Sequence, residues 1–133
     1  MIHSLVVDTS ALMALLLQEP EAEELLDLAA RAERVQLSAA TRLELTLVAE
    51  GSRFNSTSSE IEALLSNLRV EVVPFESNHL HWALHGWRHY GKGCHQAALN
   101  LGDCFSYGLA KTLDAPLLFK GEDFQYTDVK VAA

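Results

Sequence analysis

The run Leu5-Val6-Val7 leads directly into Asp8-Thr9-Ser10, and a helix-periodic stretch from Ser10 to Leu17 follows at once. Such a run is too short for a helix and too apolar for a solvent-facing loop, so it reads as a buried strand. A strand buried on both faces belongs in a parallel sheet, and a parallel sheet needs helices to cover it. The rest of the chain supplies them in alternation. A helix from Pro20 to about Ala32 carries Ala22, Leu25, Leu26 and Ala29 on one face. Val35 to Leu37 reads as a second strand. Thr41 is placed to cap a helix ending near Gly51. Thr57 to Leu68 is helical, Val70 to Val73 is a third strand stopped by Pro74, and Asn78 to about His89 is helical again. A helix from Asn100 or Leu101 to Leu113 precedes a fourth strand, Leu117 to Phe119, and Val129 to Val131 is a candidate fifth. The alternation predicts an α/β fold: a three-layer α/β/α sandwich around a parallel sheet of four to five strands, formed by residues 1–133 as a single domain.

Such sheets place their ligands at the carboxyl ends of the strands. Four acids fall where the fold would gather them there. Asp8 follows the first strand, Glu44 lies one helical turn beyond the second, Asp103 opens a helix, and Asp123 follows the fourth strand. Carboxylates brought together repel one another, and a divalent cation removes the repulsion. Oxygen donors of this kind suit Mg²⁺ or Mn²⁺, whose usual chemistry on such a set is phosphodiester cleavage by a metal-activated water.

Each acid also has a purely structural use. Asp8 is a good helix cap. Thr41-Arg42-Leu43-Glu44 has the spacing of a capping box, Asn100-Leu101-Gly102-Asp103 resembles a helix start, and Gly121-Glu122-Asp123-Phe124 reads as a turn. Glu122 and Asp128 are neighbouring acids that compete with Asp123 for the fourth place. The functional case rests on the convergence of all four. The histidines of the fifth helix, His81, His85 and His89, share a face but lack the intervening glutamate of a zinc peptidase helix, so a solvated or RNA-facing surface is the expectation.

The net charge is −8 over 133 residues, which argues against a broad basic surface for nucleic acid. Part of it is the acid set itself, and part is the early run Glu19, Glu21, Glu23, Glu24 and Asp27. Basic residues cluster between His79 and His95, where Arg88 and Lys92 could meet a substrate strand, as could Lys120. No apolar run approaches the roughly 18 residues of a membrane span. No signal peptide is expected, and two cysteines make neither a disulfide framework nor a metal pattern, so a cytoplasmic setting is expected.

Four segments occur in order: Val7-Asp8-Thr9-Ser10-Ala11-Leu12, Ser38-Ala39-Ala40-Thr41-Arg42-Leu43-Glu44, Leu99-Asn100-Leu101-Gly102-Asp103-Cys104-Phe105-Ser106-Tyr107 and Leu118-Phe119-Lys120-Gly121-Glu122-Asp123-Phe124. Together they resemble PIN-domain ribonucleases of the VapC toxin type, over essentially the whole chain. The resemblance implies a Mg²⁺- or Mn²⁺-dependent endoribonuclease, the toxin of a toxin–antitoxin pair. It matches Asp8, Glu44, Asp103 and Asp123 to the family's four catalytic and metal-binding acids, and Thr9 or Ser10 to the hydroxyl that supports the first. It also implies a homodimer and an inhibitory antitoxin, for which an arginine-bearing segment would complement the acidic pocket. Three other readings remain beside it. A receiver domain wants adjacent acids after its first strand, a dehalogenase-type phosphatase wants Asp-x-Asp where Ser10 stands, and an interaction module would keep the fold without the chemistry.

Overall fold

The computed structural model describes residues 2–132. Four strands, β1 (Ile2–Val7), β2 (Ala32–Ser38), β3 (Val70–Val73) and β4 (Leu117–Leu118), form one sheet in the order β3-β2-β1-β4. All pairings are parallel. The expected fifth strand is reduced to a single parallel bridge between Val131 and Leu117 at the β4 edge. Six helices alternate with the strands: α1 (Thr9–Leu16), α2 (Ala22–Ala30), α3 (Ala39–Ala49), α4 (Ser58–Asn67), α5 (Ser77–Tyr90) and α6 (Leu101–Leu113). A short 3₁₀ turn spans Asp123–Tyr126.

Side chains of β1 point alternately to two cores, as the pleat requires. Leu5 and Val7 join Leu12, Leu25, Leu45, Ile61 and Leu65 on the side covered by α1 to α4. Val6 joins Ala83, Leu99, Tyr107, Leu109 and Leu117 on the side of α5 and α6. The three layers follow from these two cores. On the second side, α5 and α6 approach closely because Gly108 lets the α6 backbone sit against the His79 carbonyl, where a methyl group would clash.

Two boundaries differ from the sequence reading. The second helix stops at Ala30 because Ala32 already pairs with Ile2 in the sheet. Helix α3 starts at Ala39, not after Thr41. Ser38 is its cap, accepting from the Ala40 N–H at 3.2 Å, and Thr41 is fully buried inside the helix. The helix α4 cap is as expected: Thr57 and Glu60 form a reciprocal capping box. Among the described residues no helix is long and apolar enough to cross a membrane.

Strand order runs outward from β1 through β2 to β3, while β4 lies on the other side of β1. The reversal at β1 opens a crevice at the strand C-termini. Asp8 stands at that point.

Candidate metal centre

Asp8 follows β1 and caps α1. Its Oδ2 accepts the Ser10 N–H at 3.0 Å and the Ser10 hydroxyl at 2.7 Å. Its Oδ1 accepts the Ser106 hydroxyl at 2.5 Å. Ser10 Oγ in turn accepts the Lys120 backbone N–H at 3.0 Å, which ties the exit of β4 to the exit of β1. Asp8 is therefore a helix cap and a pocket carboxylate together, and the two uses do not compete.

Glu44 projects from α3. Thr9 donates its hydroxyl to Glu44 Oε1 at 2.5 Å. The capping-box reading of Thr41 and Glu44 is wrong, because α3 is capped three residues earlier, by Ser38, and the side-chain partner of Glu44 is Thr9. The carboxylate instead lies over the Cα of Gly102, where an added Cβ would overlap Glu44 Oε2. Burial raises the Glu44 carboxyl above its ordinary range; the Thr9 bond opposes this and the charge of Asp8 adds to it.

Asp103 sits at the third position of α6. Here the capping box does form: Asn100 Oδ1 accepts the Asp103 N–H at 2.9 Å, and Asp103 Oδ2 accepts the Asn100 N–H at 3.1 Å. Burial pushes the Asp103 carboxyl up to about 7; the Asn100 bond opposes the shift, and the charges of Asp8, Asp123 and Glu44 reinforce it. The charges of Asp8, Glu44 and Asp123 act on Asp103, and that of Asp8 acts on Glu44. The four acids come from the β1–α1 junction, α3, α6 and the 3₁₀ turn.

Among the described residues none of the four has an ion-pair partner. Nor do any three histidine, cysteine or acid side chains already close round one ion position. The carboxylates are held instead by hydroxyl and backbone donors. The donor set nevertheless fits a hard divalent ion. Its oxygens are of the right chemistry for Mg²⁺ or Mn²⁺, and such an ion keeps several waters and needs few protein ligands. A cation would also offset the like charge that, after burial, raises the Asp103 and Glu44 carboxyls.

Asp123 is exposed at the start of the 3₁₀ turn, next to Glu122. Asp128 accepts the Tyr107 hydroxyl at 2.8 Å and pairs with Lys111 Nζ at 3.1 Å. Glu122 is exposed at the entry to the 3₁₀ turn. Lys120, read as a substrate contact, has its ammonium paired with Glu19 at 2.5 Å and Glu21 at 3.6 Å. That pairing pins the α1–α2 connection and leaves the group committed. Arg88 is exposed in the last turn of α5, and Lys92 is exposed in the loop that hydrogen-bonds to Leu99, next to the α6 cap. On α5, His85 stacks on His89 at 4.0 Å between ring centres.

Two contributors were absent from the sequence reading. Ser106 is fully buried and bonded to Asp8. Gly102 is the seat of Glu44. Both lie within one turn of Asp103, and the helical i, i+3 spacing of Ser106 from Asp103 was the available signal.

The PIN domain family model matches residues 5–130. VapC ribonuclease Mb0640 of Mycobacterium bovis is 45% identical over 130 residues, covering 97% of this chain and 98% of that protein. Ribonuclease VapC of Mycolicibacterium smegmatis is 46% identical over 127 residues, covering 94% and 97%. Among solved structures, VapBC2 from Rickettsia felis bound to a promoter DNA fragment superposes with a TM-score of 0.72 at 17% identity, covering 96% of each chain. Mycobacterium tuberculosis VapC20 superposes with a TM-score of 0.70 at 16% identity, covering 94% of this chain and 95% of that one. The family-model match and the full-length similarity agree: this chain belongs to the PIN domain family.

Proposed function

We propose that this chain is a Mg²⁺- or Mn²⁺-dependent endoribonuclease, formed as one domain and acting as the toxin of a toxin–antitoxin pair in the cytoplasm. The observation that supports the reading is that Asp8 and Glu44 both meet the first turns of α6, Asp8 through Ser106 and Glu44 over Gly102, beside Asp103, with no basic ion-pair partner for any of these acids among the described residues. Relatives at 45% and 46% identity that bear the name ribonuclease support the same reaction class. The receiver and phosphatase readings lose ground, because the acids come from four separated segments and Ser10 is engaged with Asp8 and Lys120.

Asp8, Glu44, Asp103 and Asp123 would hold the ion. When bound, a divalent cation lowers the pKa of a coordinated water and neutralises charge on a phosphate. The chain's own residues do the rest. Ser10 and Ser106 orient Asp8, Thr9 orients Glu44, and the Asn100 N–H holds one oxygen of Asp103. Arg88 and Lys92, both exposed, are basic groups that would meet the RNA backbone, with Lys120, paired with Glu19 and Glu21, as a third candidate.

We further propose a homodimer and an antitoxin whose arginine enters the acidic pocket. The homodimer is supported by an exposed apolar face made of Leu43 and Leu47 of α3, Leu80, Leu84 and Trp87 of α5, and Leu101 of α6. In the Leu12 to Leu17 stretch, Leu12 to Ala14 are buried in the core and Leu17 is exposed. Sedimentation at tens of micromolar (about 10⁻⁵ M, the upper range of specific association) tests the assembly.

The experiment for the activity is cleavage of a panel of structured RNAs with Mn²⁺ or with EDTA. Wild type should cut only with the metal, and Asp8→Ala should not cut. Metal-independent cleavage, or an active Asp8→Ala variant, would sink the assignment.

A further inference from the structure

We propose that Ser106 is a positioning residue for this centre: its hydroxyl fixes the plane in which Asp8 offers its carboxylate to the ion. The inference rests on the reading of Asp8 as a metal acid. An aspartate's terminal torsion is broad and nearly two-fold, so rotamer preference alone does not set that plane. Here two hydroxyls set it, one on each oxygen. Ser10 holds Oδ2 from the chain immediately after the strand, and Ser106 holds Oδ1 from α6, 98 residues later in sequence.

Ser106 has no other evident reason to be polar. It is fully buried, in a stretch of α6 whose neighbours Cys104, Tyr107, Leu109 and Ala110 are also buried. A hydroxyl there costs free energy unless it is bonded. Serine inside a helix ordinarily bonds back to a carbonyl one turn earlier. Among the described residues its partners are instead Asp8, at 2.5 Å, and Thr41 Oγ1 of α3, at 3.5 Å. Thr41 is fully buried as well. The hydroxyl thus stands where β1, α3 and α6 meet, beneath the carboxylates that those same elements carry. One turn of α6 delivers both a pocket acid, Asp103, and the support for its neighbour, Asp8.

Ser106→Ala removes the hydroxyl, and with it the bond to Asp8 and the longer contact with Thr41 Oγ1. Mn²⁺ binding, read by calorimetric titration of the full chain, should weaken about tenfold, the lower range for loss of a group that orients a ligand. The rise in melting temperature between EDTA and Mn²⁺ should shrink with it. Ser106→Thr, which keeps the hydroxyl, should retain most of the wild-type Mn²⁺ affinity. Should Ser106→Ala fail to fold, Ser106→Cys, nearly isosteric and a weaker donor, should show a smaller loss of affinity in the same titration. A folded Ser106→Ala or Ser106→Cys with wild-type Mn²⁺ affinity, destabilised equally in EDTA and in Mn²⁺, would overturn the proposal and leave Ser106 a core hydroxyl. Wild-type protein that binds no Mn²⁺, or Asp8→Ala binding as well as wild type, would overturn the metal reading beneath it and this inference with it.

Discussion

Helix α6 serves two aspartates in opposite ways. At its first turn, Asp103 faces Asp8, Glu44 and Asp123, and its carboxyl is pushed up to about 7, burial first and like charge after. Toward its far end, Tyr107 and Lys111 reach Asp128. There partial burial opposes ionisation, but the Tyr107 hydroxyl and the Lys111 ammonium outweigh it and hold the carboxyl below its ordinary range. Residue type is the same and the helix is the same. One environment stores repulsion and the other neutralises it. A carboxylate that the fold leaves uncompensated is a candidate for an external cation; one that the fold has already matched is part of the scaffold.

The widest separation between the two should appear in catalysis. Asp103→Asn keeps the cap but weakens a ligand for a hard cation, so RNA cleavage should fall by orders of magnitude. Asp128→Asn should leave cleavage within a small factor of wild type. Equal losses in a cleavage assay would erase the distinction. Next comes metal-linked stability. At a hundredfold excess of Mn²⁺ over its dissociation constant, wild type should gain about 2.7 kcal/mol over EDTA. Asp128→Asn should keep that gain and Asp103→Asn should lose most of it, read from paired thermal melts.

The pH response of the metal-free protein should split the pair by sign. Asp103 is raised when folded, so the folded chain holds the extra proton between the unfolded value near 4 and the folded value near 7. Its contribution to stability is fully present below about pH 4 and is lost as pH rises to about 7. Melts in EDTA from pH 5 to 8 should show that loss, and Asp103→Asn should flatten it. Asp128 is lowered when folded, so its contribution is present at neutral pH and fades only as pH falls through the acid range. The smallest effect is the bond itself: Asp128→Asn should cost about 1 kcal/mol at neutral pH, since its side chain is 44% exposed and solvent screens the Lys111 pair. A silent Asp128→Asn would show that the match with Lys111 contributes nothing measurable.

Much of this arrangement was legible before the structure. Strand runs as short as Leu5-Val6-Val7 and Val70 to Val73 were readable because a doubly covered sheet demands unbroken apolar residues. The expectation that four acids share one edge followed from that layering. What stayed hidden was which neighbour each acid would meet. Asn100 and Asp103 were readable as a cap because both partners lie three residues apart. Thr41 and Glu44 had the same spacing and no cap, because Ser38 had already started the helix. Ser106 and Lys120 were illegible for a different reason. The partners that define them, Asp8 for one and Glu19 for the other, are 98 and 101 residues away. Local pattern carries no record of contacts at that range.

The seat of Glu44 on Gly102 has a consequence for how such a protein can be switched off by mutation. The atoms that a methyl group at position 102 would meet belong to the tip of a flexible side chain, not to backbone. Gly102→Ala should therefore be absorbed by swinging the Glu44 carboxylate aside, with the fold intact. A chain altered in this way would retain every acid that an inspection of its chemistry checks and still be inert. The smallest residue beside Glu44 is then the quietest place for a disabling lesion to arise.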